Sequence, residues 1–319
     1  MNKYKCMGML LLISILAGGC QKAEPVAEET KAPVQEIAKE EEKASTRELK
    51  EEPEPKFIAE GIRRVKLTKD SEVLLDIAYE PKEYESSYEY WKVKAPYGGE
   101  AVLDTEAALK FYGQLAQLSF TQVTEVGAEV KENLASSKTY LELEFCQLDE
   151  EDERASYQAE ASSRLTLTIG EEDGAGNYYA TLSGDPERVY LISVDALEQI
   201  FAVKPYDLIL KISAVCPMET VSAVETKVAG KSKKLENYQE IYTDLFGVLI
   251  AGELKEPAKG EKEELLTLTF ARTAPEMEKL TITYYDYDKE YASVKVKGEE
   301  HFLVEKAEVE NLIKITQDN

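Results

Sequence analysis

Two stretches of the 319-residue chain carry residue types and spacings that could do chemistry. Residues 165 to 182 read LTLTIGEEDGAGNYYATL, with Gly170, Gly174 and Gly176 between two runs of alternating apolar residues. A phosphate loop needs a strand, a glycine-rich turn opening onto a helix, and a lysine. An EF-hand needs oxygen ligands at fixed alternate positions, which EEDGAGN does not supply. The glycines lead instead into another strand-like run, so the stretch reads as a hairpin with Gly174 or Gly176 at positive φ. Residues 284 to 291, YYDYDKEY, place Asp286 and Asp288 on one strand face, where they could touch a cation. Two solvated aspartates beside a turn are the plainer reading. The neighbouring tyrosines, with Tyr178 and Tyr179 of the first stretch, have the makings of an aromatic platform for a sugar or peptide. Half-buried strand tyrosines are again the plainer alternative. Tyr178, Tyr179, Asp286 and Asp288 together form the candidate binding surface.

Catalytic sets are not evident. The only histidine, His301, lies in the strand-like GEEHFLVE without a nucleophile elbow or a cysteine partner, and reads as a surface or edge-strand side chain. No His/Cys cluster has zinc spacing, so neither a metal nor another cofactor is expected. Carboxylates are so numerous that no pair singles out glycoside hydrolysis. No catalytic residue is therefore assigned, and the expectation is a protein that is not an enzyme. Cys146 and Cys216 sit in apolar sequence, LELEFCQL and ISAVCPME, where either a disulfide or two buried thiols is compatible with export.

The N-terminus supplies an address. Lys3 and Lys5 precede an apolar run from Met7 to Leu16, then Ala17-Gly18-Gly19 and Cys20. This is the three-part pattern of a secretory signal with a lipoprotein-type cleavage site. Its core is too short for a bilayer span, which takes about 20 apolar residues. Residues 1–19 are expected to be removed and Cys20 to be acylated, with palmitate among the added chains. Each buried CH₂ adds about 0.8 kcal/mol to membrane attachment. Residues 20–56, rich in Glu, Lys, Ala and Pro, have too little to bury and read as a disordered charged tether. The expected location is the cell membrane, lipid-anchored, facing outside the cytoplasm.

The chain carries 38 basic and 62 acidic side chains, a net charge of −24. Such a balance argues against nucleic acid, which is held by neutralising phosphates. Solubility explains the charge more simply than an acidic site does, and the DEEDE cluster, residues 149 to 153, reads as a solvated loop.

The elements that would position any site come in two related sets. YLELEF (140–145) resembles LLTLTF (265–270). RLTLTIGEEDGAGNYYATLSG (164–184) resembles KLTITYYDYDKEYASVKVKG (279–298), and VYLISVDALEQIF (189–201) resembles HFLVEKAEVENLI (301–313). All three matches occur in the same order, which is the mark of an internal duplication. Helix patterns over 104–118 and 236–250 precede them, and EVLLDIAY (72–79) pairs with ETVSAVETKV (219–228) as the leading strands. Alternation at period two with few long helices predicts an α+β fold: two related antiparallel-sheet units, each with short helices on one face. The expected domains are 57–210 and 211–319.

On Trp91, Pro96, Asp104, Leu115, Gly170, Tyr178, Tyr179 and Leu197, residues 70 to 215 resemble the bacterial family catalogued as domain of unknown function 4340. The second half resembles it only loosely and lacks the tryptophan and the glycines. The resemblance implies exported or membrane-anchored proteins, some accompanying ABC-transporter components of the gliding-motility type, and carries no catalytic residues. The expected function is a non-enzymatic binding or accessory module for an envelope or ABC-transporter-type complex, with an envelope protein as partner. A solute-binding lipoprotein with a cleft between the halves is the alternative, and a cell-wall hydrolase is a third.

Overall fold

In both sheets the alternating strands bury every second residue, so the apolar pattern fixes which face of each strand points inward. Leu141, Leu143 and Phe145 are buried in one sheet, and Leu266, Leu268 and Phe270 occupy the matching places in the other. The computed structural model describes residues 48–146, 160–256 and 262–319. The leader, Cys20, most of the tether and the acidic cluster at 149–153 lie outside the described residues.

The first half runs β1 (Lys50–Glu51), β2 (Ile62–Lys69), β3 (Glu72–Tyr79), β4 (Trp91–Ala95), α1 (Thr105–Ala116), β5 (Thr121–Gln122) and α2 (Ala128–Ser136). It continues with β6 (Thr139–Phe145), β7 (Ser163–Glu172), β8 (Asn177–Leu182), β9 (Asp185–Ser193) and α3 (Val194–Phe201). The second half runs β10 (Val221–Val228), β11 (Lys231–Leu235), α4 (Tyr242–Phe246), β12 (Ile250–Glu253), β13 (Glu264–Arg272), β14 (Leu280–Asp286), β15 (Tyr291–Val296), β16 (Glu299–Glu305) and α5 (Lys306–Asp318).

The first sheet has the order β4-β3-β2-β6-β7-β8-β9-β5, with β1 alongside β7, and the second has β11-β10-β13-β14-β15-β16-β12. Once β4 and β1 are set aside, the two orders are the same, element for element. The fold is therefore α+β, with two related antiparallel-sheet units carrying short helices. One hydrophobic cluster runs through both sheets. Equivalent side chains fill equivalent places: Tyr190, Ile192, Leu197 and Ile200 of β9 and α3 answer to Phe302, Val304, Val309 and Leu312 of β16 and α5.

Three expectations need correction. The strand equivalent to β10 is β2, and 72–79 answers to β11; β2 lacks clear alternation, since Ile62, Arg63, Val65, Leu67 and Thr68 are all buried. The helix expected over 236–250 shrinks to α4, whose first turn has no side-chain cap and which stops at Gly247. The tether ends before residue 56, because Lys50–Glu51 pairs in parallel with Ser163–Arg164 at the end of β7 that β8 does not reach. Glu52 adds backbone and side-chain bonds to Arg164 and Ser163, at 3.0 and 2.9 Å. Composition misses this strap because strand pairing by main chain needs no apolar side chains.

Candidate functional site

The repeat itself marks the site. Between β11 and α4 the second half has only residues 236–241, whereas between β3 and α1 the first half inserts residues 80–104. This insertion is built to hold its shape. Ser86 and Glu89 form a reciprocal capping box around the 3-10 turn Ser87–Glu89. β4 then turns Val93 fully inward, while Trp91 rests on Tyr79 and Tyr112 with ring centroids 5.1 and 6.1 Å away. Period-two alternation sends Lys92 and Lys94 to the other face. A cis Ala95-Pro96 bond follows, and Gly98 and Gly99 take φ of 61° and 84°, a region open to glycine without steric cost. Their N–H groups return to Lys94 and Val93 carbonyls, each at 2.9 Å.

The insertion leans on the second half. Tyr97 is buried against Phe302, centroids 4.8 Å apart, and its hydroxyl donates to Glu253 Oε1 at 2.6 Å. Burial and that bond push the Tyr97 phenol above its usual range. Glu100 Oε1 accepts from the Gly298 N–H. Arg272, the last residue of β13, donates from Nη2 to both oxygens of Glu89.

Between these contacts lies a cleft of about 400 Å³. The insertion supplies Lys82, Glu85, Glu89, Lys92 and Lys94, and the second half supplies Arg272, residues 276–278 and Lys297. A recess of about 60 Å³ adjoins it and shares Glu89, Lys92, Gly99, Arg272 and Lys297. Five cations, Lys82, Lys92, Lys94, Arg272 and Lys297, face five carboxylates, Glu80, Glu85, Glu89, Glu276 and Glu278. On a chain of net charge −24, a charge-balanced cleft is a local departure. Lys92 pairs with Glu85 at 3.2 Å and Lys94 with Glu80. Burial opposes ionisation of Glu89, but the Arg272 and Ser86 bonds outweigh it and hold its pKa below the ordinary value. Glu100 goes the other way, raised by burial that its backbone bonds only partly offset.

The surface expected from sequence is not assembled. Tyr178 and Tyr179, being adjacent in β8, point to opposite faces. The Tyr178 hydroxyl donates to Glu198 Oε1 at 3.0 Å, and burial with that bond pushes its pKa up to about 12. Asp286 and Asp288 belong to the other sheet unit. There Lys306 Nζ donates to Asp286 and to the Asp288 carbonyl, so the cation at this turn is the protein's own lysine. The Asp288 carboxylate accepts from the Glu290 and Tyr291 N–H groups, both at 2.8 Å. Gly174 and Gly176 both take positive φ, and Asp173 caps their turn through the Ala175 and Asn177 N–H groups.

No disulfide joins the two cysteines. Both are buried, Cys146 donating to the Gly61 carbonyl at 3.4 Å and Cys216 lying 3.5 Å from the Thr220 hydroxyl. The two thiols are held by separate neighbours in separate sheet units, which overturns the pairing option. His301 is on no edge either. β16 lies between β15 and β12, and the imidazole packs edge-on to Tyr97 at 5.7 Å. Among the described residues no group of three or more His, Cys, Asp or Glu is placed to hold a metal, and no helix is long and apolar enough to cross a membrane.

Sequence reasoning passed over the cleft residues because their charges read as solvated surface. One signal points there: Trp91, which begins β4, has no counterpart in the second half. Comparison of the chain with family models, with curated proteins and with solved structures finds no match.

Proposed function

We propose that the chain is a lipid-anchored extracytoplasmic binding module, without chemistry of its own, that takes a small charged solute in the cleft between its sheet units. The observation that carries this is the position of the insertion. Two units with the same strand order differ by residues 80–104, by α2 and by β1, and of these it is residues 80–104 that form one wall of the cleft while Arg272 and Lys297 stand on the other. Ligand sites favour such junctions, where two units supply convergent polar groups. The lipid on Cys20 and the tether would hold the cleft above the membrane. The cleft carboxylates Glu80, Glu85 and Glu89 are each held by a cation, an arrangement suited to recognition rather than to proton transfer. A thermal-shift screen of the full chain in detergent, with charged and neutral solutes, tests the proposal. A ligand bound only by the native state must raise the midpoint, and a screen without any stabilising solute would remove the basis for it.

A second reading, an accessory module for an envelope or ABC-transporter-type complex, draws on β11. In the first half β4 covers the outer side of β3, but the equivalent β11 is the edge of its sheet. Its exposed Lys231 and Lys234 offer an edge for an acidic extended segment of a partner protein, while Lys233 is engaged by the Thr316 and Gln317 carbonyls of α5. Pull-down from solubilised membranes with wild type and with Lys231→Glu/Lys234→Glu distinguishes a partner held at this edge from one held elsewhere.

A further inference from the structure

Buried polar atoms that lack a partner show what a site is prepared to meet, because native interiors satisfy nearly all such groups. Seven side-chain atoms among the described residues are buried without a hydrogen-bond partner, and four of them surround the junction: Arg272 Nε, Glu85 Oε2, Glu100 Oε2 and His301 Nε2. Arg272 matters most, since its side chain is only 4% exposed and it lines both the cleft and the recess. Its Nη2 is committed to Glu89, yet its Nε–H has no acceptor. Across the same cleft Glu85 gives one oxygen to Lys92 and keeps Oε2 unmatched. Lys297, exposed at the cleft and within electrostatic reach of Glu100, completes this set. The residues lining the cleft thus include a donor and a carboxylate oxygen that are unmet and lie just beneath its surface, on Arg272 and Glu85, together with Lys297.

Resting on the binding reading above, we propose that the cleft takes a zwitterion, a free amino acid or short peptide. Its carboxylate accepts from Arg272 and Lys297, and its ammonium donates to Glu85, the two buried side chains turning their unmet atoms outward to receive it. Charge balance selects this class over its rivals. A phosphate or other net anion would answer Arg272 and Lys297 but leave Glu85 unmatched, and would add net negative charge to a cleft whose five cations and five carboxylates already balance. A neutral sugar would bring neither a carboxylate for Arg272 and Lys297 nor an ammonium for Glu85. A ligand bearing both signs satisfies donor and acceptor together and leaves the cleft neutral. The recess beyond Arg272, with Glu100, is too small for more than water-sized groups and closes the far end.

The test is a titration calorimetry series on the full chain in detergent. Its probes are a pool of free amino acids, a pool of random tripeptides with free ends, the same tripeptides acetylated and amidated, and inorganic phosphate. The expected result is binding of a free-ended pool, loss of roughly tenfold or more in affinity on capping, and a similar loss in Glu85→Gln and Arg272→Gln. Lys69→Gln, at a residue that pairs with Glu198 and lines neither the cleft nor the recess, should bind as the wild type does. Glu85→Gln keeps the test valid if Arg272→Gln fails to fold. Equal binding of capped and free peptides, or unchanged binding in a folded Glu85→Gln, overturns the zwitterion while leaving the cleft as a binding site. Phosphate binding that disappears in Arg272→Gln does the same. Absence of binding by every probe also overturns it, and the wider solute screen then decides the binding reading separately.

Discussion

Arg272 and Glu89 are 183 residues apart in sequence, yet one guanidinium nitrogen of Arg272 donates to both Glu89 oxygens, at 3.1 and 3.0 Å, and ties β13 to the turn that enters β4. The side chains are 4% and 19% exposed, so neither end is well solvated. Glu89→Gln is expected to destabilise the fold by about 1–3 kcal/mol in urea unfolding, since it weakens a charged bond and leaves Arg272 under-satisfied. The sign of the pH effect follows from Glu89 being held below its unfolded value. Its contribution is present at neutral pH and fades as pH falls through the folded value, below the ordinary value of 4.5. The variant should therefore show a flatter acid limb than the wild type.

Glu100 is the opposite case. Burial raises its pKa above the ordinary value of 4.5, so its folded form prefers the proton. Its favourable contribution is present below that value and is lost as pH rises through the folded pKa. At neutral pH the ionised, half-buried carboxylate works against folding. Glu100→Gln keeps the acceptor for the Gly298 N–H and is expected to raise the melting temperature at pH 7, with the gain shrinking towards pH 4. A variant less stable than wild type at pH 7 would contradict this account.

The two kinds of information in the chain were not equally legible. Strands such as β6 and β7 bury one face each, so Leu141, Leu143, Leu165 and Leu167 announce both element and orientation, and their repetition at 266–282 announces the duplication. The opposed faces of Tyr178 and Tyr179 also follow from the strand period. What sequence does not carry is which charges meet. Lys92 and Lys94 look like any solvated strand face until Glu85 and Glu80 are brought beside them. Asp286 looks like a free ligand until α5 starts at Lys306. Such pairings depend on tertiary closure and leave no periodic trace.

The cysteines give a simple check on the fold. Burial raises the pKa of both Cys146 and Cys216, so little thiolate is present at neutral pH and access is poor. Peptide-level mass spectrometry after alkylation should show slow labelling of both in the native state and rapid labelling in urea. Reducing agent should leave the melting temperature unchanged, because Cys146 and Cys216 are not bonded to each other. A fall in that temperature on reduction would point to a pairing that this fold does not contain.

The strap at β1 offers a last test, and it concerns how the anchor meets the body. Gly184, in the turn between β8 and β9, lies directly under the Glu52-Pro53 peptide. A Cβ at this position would stand 2.4 Å from the Glu52 carbonyl carbon and 2.5 Å from the Pro53 nitrogen. Both are backbone atoms, so no side-chain rotation relieves the clash. Gly184→Ala is expected to lift residues 50–53 from β7 and to break the Lys50 and Glu52 main-chain bonds to Ser162 and Arg164. The rest of the first sheet keeps its pairing, because β7 is held by β6 along its length. Hydrogen exchange should then rise at Glu52, and a protease should cut near Lys50 and Lys56, while the melting temperature falls only modestly. If exchange rose throughout β6 and β7 instead, the strap would be part of the sheet's cooperative core rather than a clip that sets where the tether begins.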